Sequence, residues 1–330
     1  MNPLSKIIGI ASMAAGLSMA GLLPAKAADP APLDQEVTLK VGYQKVGHLA
    51  PLELVQEKLA PLNINLDLVE FSRYADTRTA LIAGSLDVAT VGPADLAIAL
   101  AQGSDAVVGI MGVGSSAKYP IVRDGVTMTS WDDLKGKKIG IAPGSAVWFQ
   151  FAATLIENDI PYDSFDQVNI QGGGAAFDQA LERGDVDAII TWEPFESIPV
   201  LGGYGHFATN LDYSKSNSVG AELGMMVASK DAIDDKREAV TRFVWAYLQA
   251  QQALASDPEA FAEAYARLTG LDLDLARQAS QAITLGSVVT PEQAAAQAKA
   301  FADLGVIQTD VSAEIPSHWD ASIVDDAKAY

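Results

Sequence analysis

The chain has 330 residues, with 42 Asp and Glu against 22 Lys and Arg, for a formal charge of −20 at neutral pH. So acidic a protein will not hold nucleic acid by broad phosphate neutralisation, nor adsorb to anionic lipid. It contains no Cys, which removes a disulfide framework, every thiolate metal site and a lipid-modified cysteine.

The first residues read as a secretory signal peptide. Lys6 supplies a positive n-region, Ile7 to Leu23 an apolar h-region, Pro24 ends it, and Ala25-Lys26-Ala27 offers small residues for cleavage. The apolar run is broken by Gly and Ser and is marginal for a membrane span of about 20 residues. Cleavage after Ala27 leaves residues 28–330, and losing Lys6 and Lys26 takes the formal charge to −22. No later stretch is apolar for so long. The exported chain is therefore expected to be soluble, monomeric, untethered and without membrane insertion, which suits a periplasm. At about 150 residues each, its length suggests two domains.

Strand and helix signals then alternate. Val37 to Tyr43 predicts a strand, and Leu52, Val55 and Leu59 mark a helix face. Ile64 to Val69 returns to a strand, Thr77 to Ala83 reads as a helix, and Val88 to Val91 as a strand. The order recurs with strands at Lys138 to Ala142, Gln167 to Ile170 and Ala188 to Thr191. Between them lie a helix through Trp148, Phe151, Ala152, Leu155 and Ile156 and another from Ala175 to Glu182. Such alternation predicts parallel α/β architecture. "ALIAGSLDVATVGP" at 80–93 and "ALERGDVDAIITWEP" at 180–194 share A-L-x-x-G-x-x-D, an apolar strand and a Pro. Each Gly suits a left-handed helix end, and Asp87 and Asp187 are expected to cap strand entries in two lobes of one design. From Asp234 the pattern is nearly all helix, with a Val240, Phe243, Val244, Tyr247, Leu248 stripe. Thr290-Pro291-Glu292-Gln293 opens a helix by capping, Gly305 is a stop, and the end is loop-like.

Catalytic motifs are scarce. His48, His206 and His318 are scattered, and there is no H-E-x-x-H, G-x-S-x-G or Walker loop. Gly172-Gly173-Gly174 reads as a turn. What remains is a set of turns at the C-terminal ends of strands, where open α/β sheets bind ligands. These are Gln44 to His48, Gly92-Pro93, Ser115-Ser116, Gly144-Ser145 and Trp192-Glu193. A helix opening after Gly144 leaves its first N–H groups unpaired, aimed across a cleft at an anion.

Four segments taken together resemble the periplasmic substrate-binding proteins of the nitrate, sulfonate and taurine group of ABC importers. They are "VGYQKVGHLAPLELVQEKLA", "ALIAGSLDVATVGPADLAIALAQG", "WDDLKGKKIGIAPGSAVWFQFAATLIE" and "ALERGDVDAIITWEPF". The similarity continues through the helical tail, where it is greatest to taurine-binding members. The resemblance implies a type II binding-protein fold, with two α/β lobes joined by two crossing strands around a ligand cleft. Lobe I would comprise 36–123 plus 224–330 with the tail packed on it, and lobe II 124–223, with crossings near Arg123 and Gly224. It further implies capture of a small anionic or zwitterionic organosulfonate and delivery to an ABC permease and its ATPase, with no cofactor and no enzymatic activity. The anion would meet N–H groups and hydroxyls at helix starts: Gly144, Ser145 and Ala146, with Gly92 and Ala94 opposite. Pro93 has no N–H to donate.

Trp192 would pack on the ligand body or in a core, and Trp148 lies on its helix's apolar stripe. Taurine-binding relatives hold the amine with acids. Here one such segment carries Ser116-Ala117-Lys118, and the return crossing carries Gly224 with Glu222 nearby. Glu193 either supplies an acid or faces solvent, and Lys118 either neutralises a second acidic group or lies in solvent. Alternatives on the same fold are a pyrimidine thiamine precursor, nitrate or bicarbonate, or a sensory protein presenting its ligand to a receptor. An exported enzyme would have to use His48 with Ser115 or Ser145.

Overall fold

The computed structural model describes residues 29–286 and 289–330, so the expected signal peptide lies outside the described residues. The first half runs β1 (Val37–Tyr43), α1 (Val55–Leu59), β2 (Ile64–Glu70), α2 (Tyr74–Ile82), β3 (Val88–Val91), α3 (Asp95–Ala101), β4 (Val107–Ser116) and β5 (Ile121–Arg123). The middle runs β6 (Lys138–Ile141), α4 (Ala146–Glu157), β7 (Asp166–Asn169), α5 (Gly174–Glu182), β8 (Ala188–Ile189), α6 (Ser197–Leu201) and β9 (Gly205–Phe207). The tail runs β10 (Glu222–Ser229), α7 (Lys230–Ser256), α8 (Pro258–Thr269), α9 (Leu273–Ser280), β11 (Ile283–Thr284), α10 (Pro291–Asp303) and α11 (Ser322–Lys328).

Among the described residues the strands make two sheets, ordered β2-β1-β3-β10-β4-β11 and β7-β6-β8-β5-β9. Each begins with three parallel strands, and each receives an antiparallel crossing strand next: β10 beside β3, β5 beside β8. β5 bonds into the second sheet, so the outward crossing falls at 117–120, a few residues before Arg123; the return enters β10 at Glu222.

The sequence repeat has a physical basis in paired hydrogen bonds. Gly84 and Gly184 take φ of 72° and 76° and end α2 and α5 alike, with Ser85 N–H reaching Ala80 O at 3.0 Å and Asp185 N–H reaching Ala180 O at 2.9 Å. Asp87 Oδ2 then accepts from Lys40 N–H at 2.8 Å, and Asp187 Oδ2 from Lys138 N–H at 3.0 Å. Each carboxylate also takes one cation: Lys236 at 2.9 Å on Asp87 and Arg123 at 3.1 Å on Asp187. Asp87→Asn is expected to cost about 1–3 kcal/mol, since it weakens a charged bond to a strand start. A lower urea midpoint at unchanged slope would register it.

Three expectations are corrected. Leu52, Val55 and Leu59 are buried, but on a 3-10 segment (47–54) that runs into the short α1. Pro51 lies inside that segment and has no N–H for an α-helical bond. The chain end is not a loop: α11 forms because Ile323 and Ala327, four apart, bury one face. Nor does the tail pack on the first sheet alone. Phe301 of α10 meets Phe149 of α4 with ring centroids 4.8 Å apart, and α9 touches α6.

Candidate functional site

A cavity of about 620 Å³ lies between the two sheets. All six parallel strands send the turn at their C-terminal end to its wall: Gln44–His48 after β1, Ser72–Ala75 after β2 and Gly92–Asp95 after β3 from the first sheet. Ala142–Val147 after β6, Ile170–Gly173 after β7 and Trp192–Glu193 after β8 come from the second. The walls are largely apolar, with Val46, Ile98, Phe149, Phe177, Leu223 and Ile283 among them. A larger hollow of about 980 Å³ sits elsewhere, against α7, and touches none of these turns.

The β6 turn carries the donors. Gly144 adopts φ 89°, a conformation that L side chains rarely take, and so swings the chain into α4. Ser145 caps the helix: its Oγ accepts from Trp148 N–H at 3.3 Å, and its own N–H is taken up by Ala142 O at 3.0 Å. The next two N–H groups, on Ala146 and Val147, have no acceptor within the helix, and both residues line the cavity. Their dipoles favour an anion there. Gly172 and Gly173, at φ 104° and 81°, turn the chain so that α5 also starts on this wall. Gly174 must be Gly, since a Cβ would stand 1.9 Å from the Phe195 ring.

The facing turn differs from expectation. Gly92 N–H is not available to a ligand, because Asp95 Oδ2 accepts it at 2.7 Å. Asp95 in turn pairs with Arg78. The first sheet's helix start is thus occupied by the protein's own carboxylate; Ala94 lines the cavity beside it. Burial pushes the Asp95 carboxyl up, against the pull of Arg78 and Gly92 N–H.

Of the other candidates, Gln44, His48, Trp192 and Glu193 reach the cavity, while Ser115, Ser116 and Glu222 do not. Ser115 and Glu222 face each other across the β4–β10 ladder, and Ser116 Oγ donates to Ala117 O at 2.8 Å. Gln44 Nε2 donates to Thr77 Oγ1, and its Oε1 accepts from Thr90 Oγ1. His48 is buried, and its Nε2 bonds Tyr74 Oη at 2.7 Å. Burial, aided by the Lys118 charge, lowers its pKa to about 3, so the ring is neutral. Its hydrogen bond goes to Tyr74 and not to Ser115 or Ser145. Trp192 is half-buried between Phe177 and Phe195, edge-on to both, at 6.0 and 6.1 Å. Trp148 lies off the cavity, against Phe149 and Tyr162.

Lys118 and Glu193 do not lie in solvent. Lys118 is 1% exposed, and its Nζ meets Glu196 Oε2 at 2.6 Å, so its partner is the protein's own carboxylate. Glu193 is 5% exposed and accepts from Ser197 N–H at 3.1 Å and Ser197 Oγ at 2.9 Å. Sequence reading missed Tyr74, Arg78 and Val147. The first two stand four apart on α2, a spacing that puts both on one face.

The strand orders and the cleft define a type II periplasmic-binding-protein fold, and solved structures agree. The alkanesulfonate-binding protein SsuA from Xanthomonas axonopodis pv. citri, bound to MOPS, superposes with a TM-score of 0.71 at 20% identity, over 88% of this chain and 100% of that one. DszB in complex with biphenyl-2-sulfinic acid, an enzyme on the same fold, matches with a TM-score of 0.66 at 15% identity, over 88% and 98%. Residues 60–261 match the family described as NMT1/THI5 like, and the chain belongs to that family. A protein of Escherichia coli (strain K12) named for binding aliphatic sulfonates is 28% identical over 191 residues. That alignment spans 57% of this chain and 59% of the relative's length. No helix among the described residues is long and apolar enough to cross a membrane.

Proposed function

We propose that this chain is the solute-binding component of an ABC importer, which captures an aliphatic sulfonate in the periplasm and delivers it to a membrane permease coupled to an ATPase. The observation that carries the reading is the pair of unpaired N–H groups on Ala146 and Val147, set in an apolar cavity between two sheets. A sulfonate offers three acceptor oxygens to such donors and an apolar body to Trp192. Charge-assisted bonds contribute about 1.5–3 kcal/mol each, and micromolar affinity needs about 8 kcal/mol net. A few such bonds plus aromatic packing reach that after ordering costs. Contacts to both walls would stabilise a hinge-closed form. Glu193 already accepts two bonds from Ser197, so alkanesulfonates without an amine are preferred to taurine.

Thermal-shift screening of the purified protein tests this, because a ligand bound only to the folded state raises Tm. Ethanesulfonate, butanesulfonate and isethionate are expected to raise it more than nitrate or bicarbonate. A rise with aminopyrimidines and none with sulfonates would overturn the reading and move recognition to the Trp192 face.

A further inference from the structure

Beside Trp192 the protein buries more negative charge than it can neutralise. Asp178, Glu193 and Glu196 are 7%, 5% and 1% exposed; among the described residues Lys118 is the one cation acting on Glu193 and Glu196, and Asp178 feels the charge of Glu193. Lys118 Nζ is committed to Glu196 Oε2 at 2.6 Å. The remaining oxygens are poorly served: Glu196 Oε1 and Asp178 Oδ1 are buried without a hydrogen-bond partner. Glu193 is held by Ser197 and faces the cavity. Like charges confined in low dielectric cannot all ionise, and an uncompensated buried carboxylate takes a proton instead.

We propose that the cavity captures its anion together with a proton, held on the Asp178, Glu193 and Glu196 cluster. The inference rests on the reading that the ligand is an anion. An anion seated at the start of α4 adds negative potential to the cluster, and its body displaces water from Glu193. Both effects favour the protonated carboxyl, so filling the cavity draws a proton in. By linkage, lower pH then tightens ligand binding.

The surroundings are consistent with this sign. Burial, then the charge of Glu193, raises Asp178 to about 7. Burial raises Glu196 to about 8, with Lys118 opposing and Glu193 adding. Glu193 is raised by burial against Lys118 and Ser197. Tyr213 and, from α8, Tyr265 face Glu193 and Glu196; Tyr204 faces Asp178; all three phenols are raised, so they stay neutral. His48, which also feels the Lys118 charge, is neutral as well. The protons therefore move on the acids, which titrate as a coupled set.

The test is calorimetric titration of the full protein with butanesulfonate in buffers of different ionisation enthalpy, at pH 6, 7 and 8. The observed enthalpy should vary with the buffer in the sense of proton uptake, at up to one proton per ligand. Affinity should rise as pH falls, by at most about tenfold per unit. Asp178→Asn should reduce the uptake. The ligand-free protein at pH 7 should also show a protonated-carboxyl infrared band that Glu196→Gln diminishes. Binding with buffer-independent enthalpy and flat affinity, or no protonated carboxyl before ligand, would overturn the inference while leaving the sulfonate reading intact. No binding in any buffer would remove that reading and this inference with it.

Discussion

Lys118→Met is expected to destabilise the protein by up to about 2 kcal/mol at pH 9.5, because each pH unit above the raised Glu196 value adds about 1.4 kcal/mol to the cost of ionising it without its partner. Lys118 and Glu196 are each 1% exposed and meet at 2.6 Å, so solvent cannot replace the lost ammonium. The penalty has a definite pH dependence. Glu196 is already raised to about 8 by burial, with Lys118 opposing; without Lys118 it rises further. A carboxyl raised in the folded state loses stability as pH climbs above its unfolded value. The deficit should therefore shrink towards pH 5, where Glu196 is neutral with or without its partner. Urea unfolding at pH 5 and pH 9.5 measures it, and an equal deficit at both would contradict the buried-charge account.

Ala146→Pro is expected to weaken sulfonate binding by roughly 10- to 100-fold, the value of one charged hydrogen bond, with little change in stability. Ala146 is the first residue of α4, where Pro is well tolerated because its missing N–H has no helical acceptor. Ser145 ahead of it is extended, at φ −80° and ψ 157°, as a residue before Pro prefers. The substitution thus removes one N–H and leaves the helix in place. Calorimetry for affinity and a melting curve for stability separate the two effects. Unchanged affinity in a folded variant would place the anion elsewhere.

The elements that place the site were legible in the sequence because they repeat a local code. The A-L-x-x-G-x-x-D segments specify a helix end and a strand start by short-range bonds, and both copies fold as read. The α4 cap was legible for the same reason: Gly144, Ser145 and Trp148 are near neighbours. What sequence could not give was competition for those donors. Gly92 N–H is taken by Asp95, a bond within one turn, and the carboxylate is also paired with Arg78 from another helix. Lys118 and Glu196 are 78 residues apart, and only the crossing at 117–120 brings them together. That Ser115, Ser116 and Glu222 lie off the cavity wall has a related cause. Ser115 and Glu222 pair in the β4–β10 ladder of the first sheet and Ser116 pairs with Ile283 of β11, and the side on which a strand residue points is decided by register. Leu52 misled through local composition, since a helical spacing containing Pro51 folded as a 3-10 segment.

The most direct measurement is a crystal structure of the protein grown with butanesulfonate. The account predicts the sulfonate oxygens within hydrogen-bond distance of the Ala146 and Val147 N–H groups, and the alkyl chain against Trp192. A sulfonate held instead by Arg73 at the cavity rim, or bound outside the cavity altogether, would contradict it.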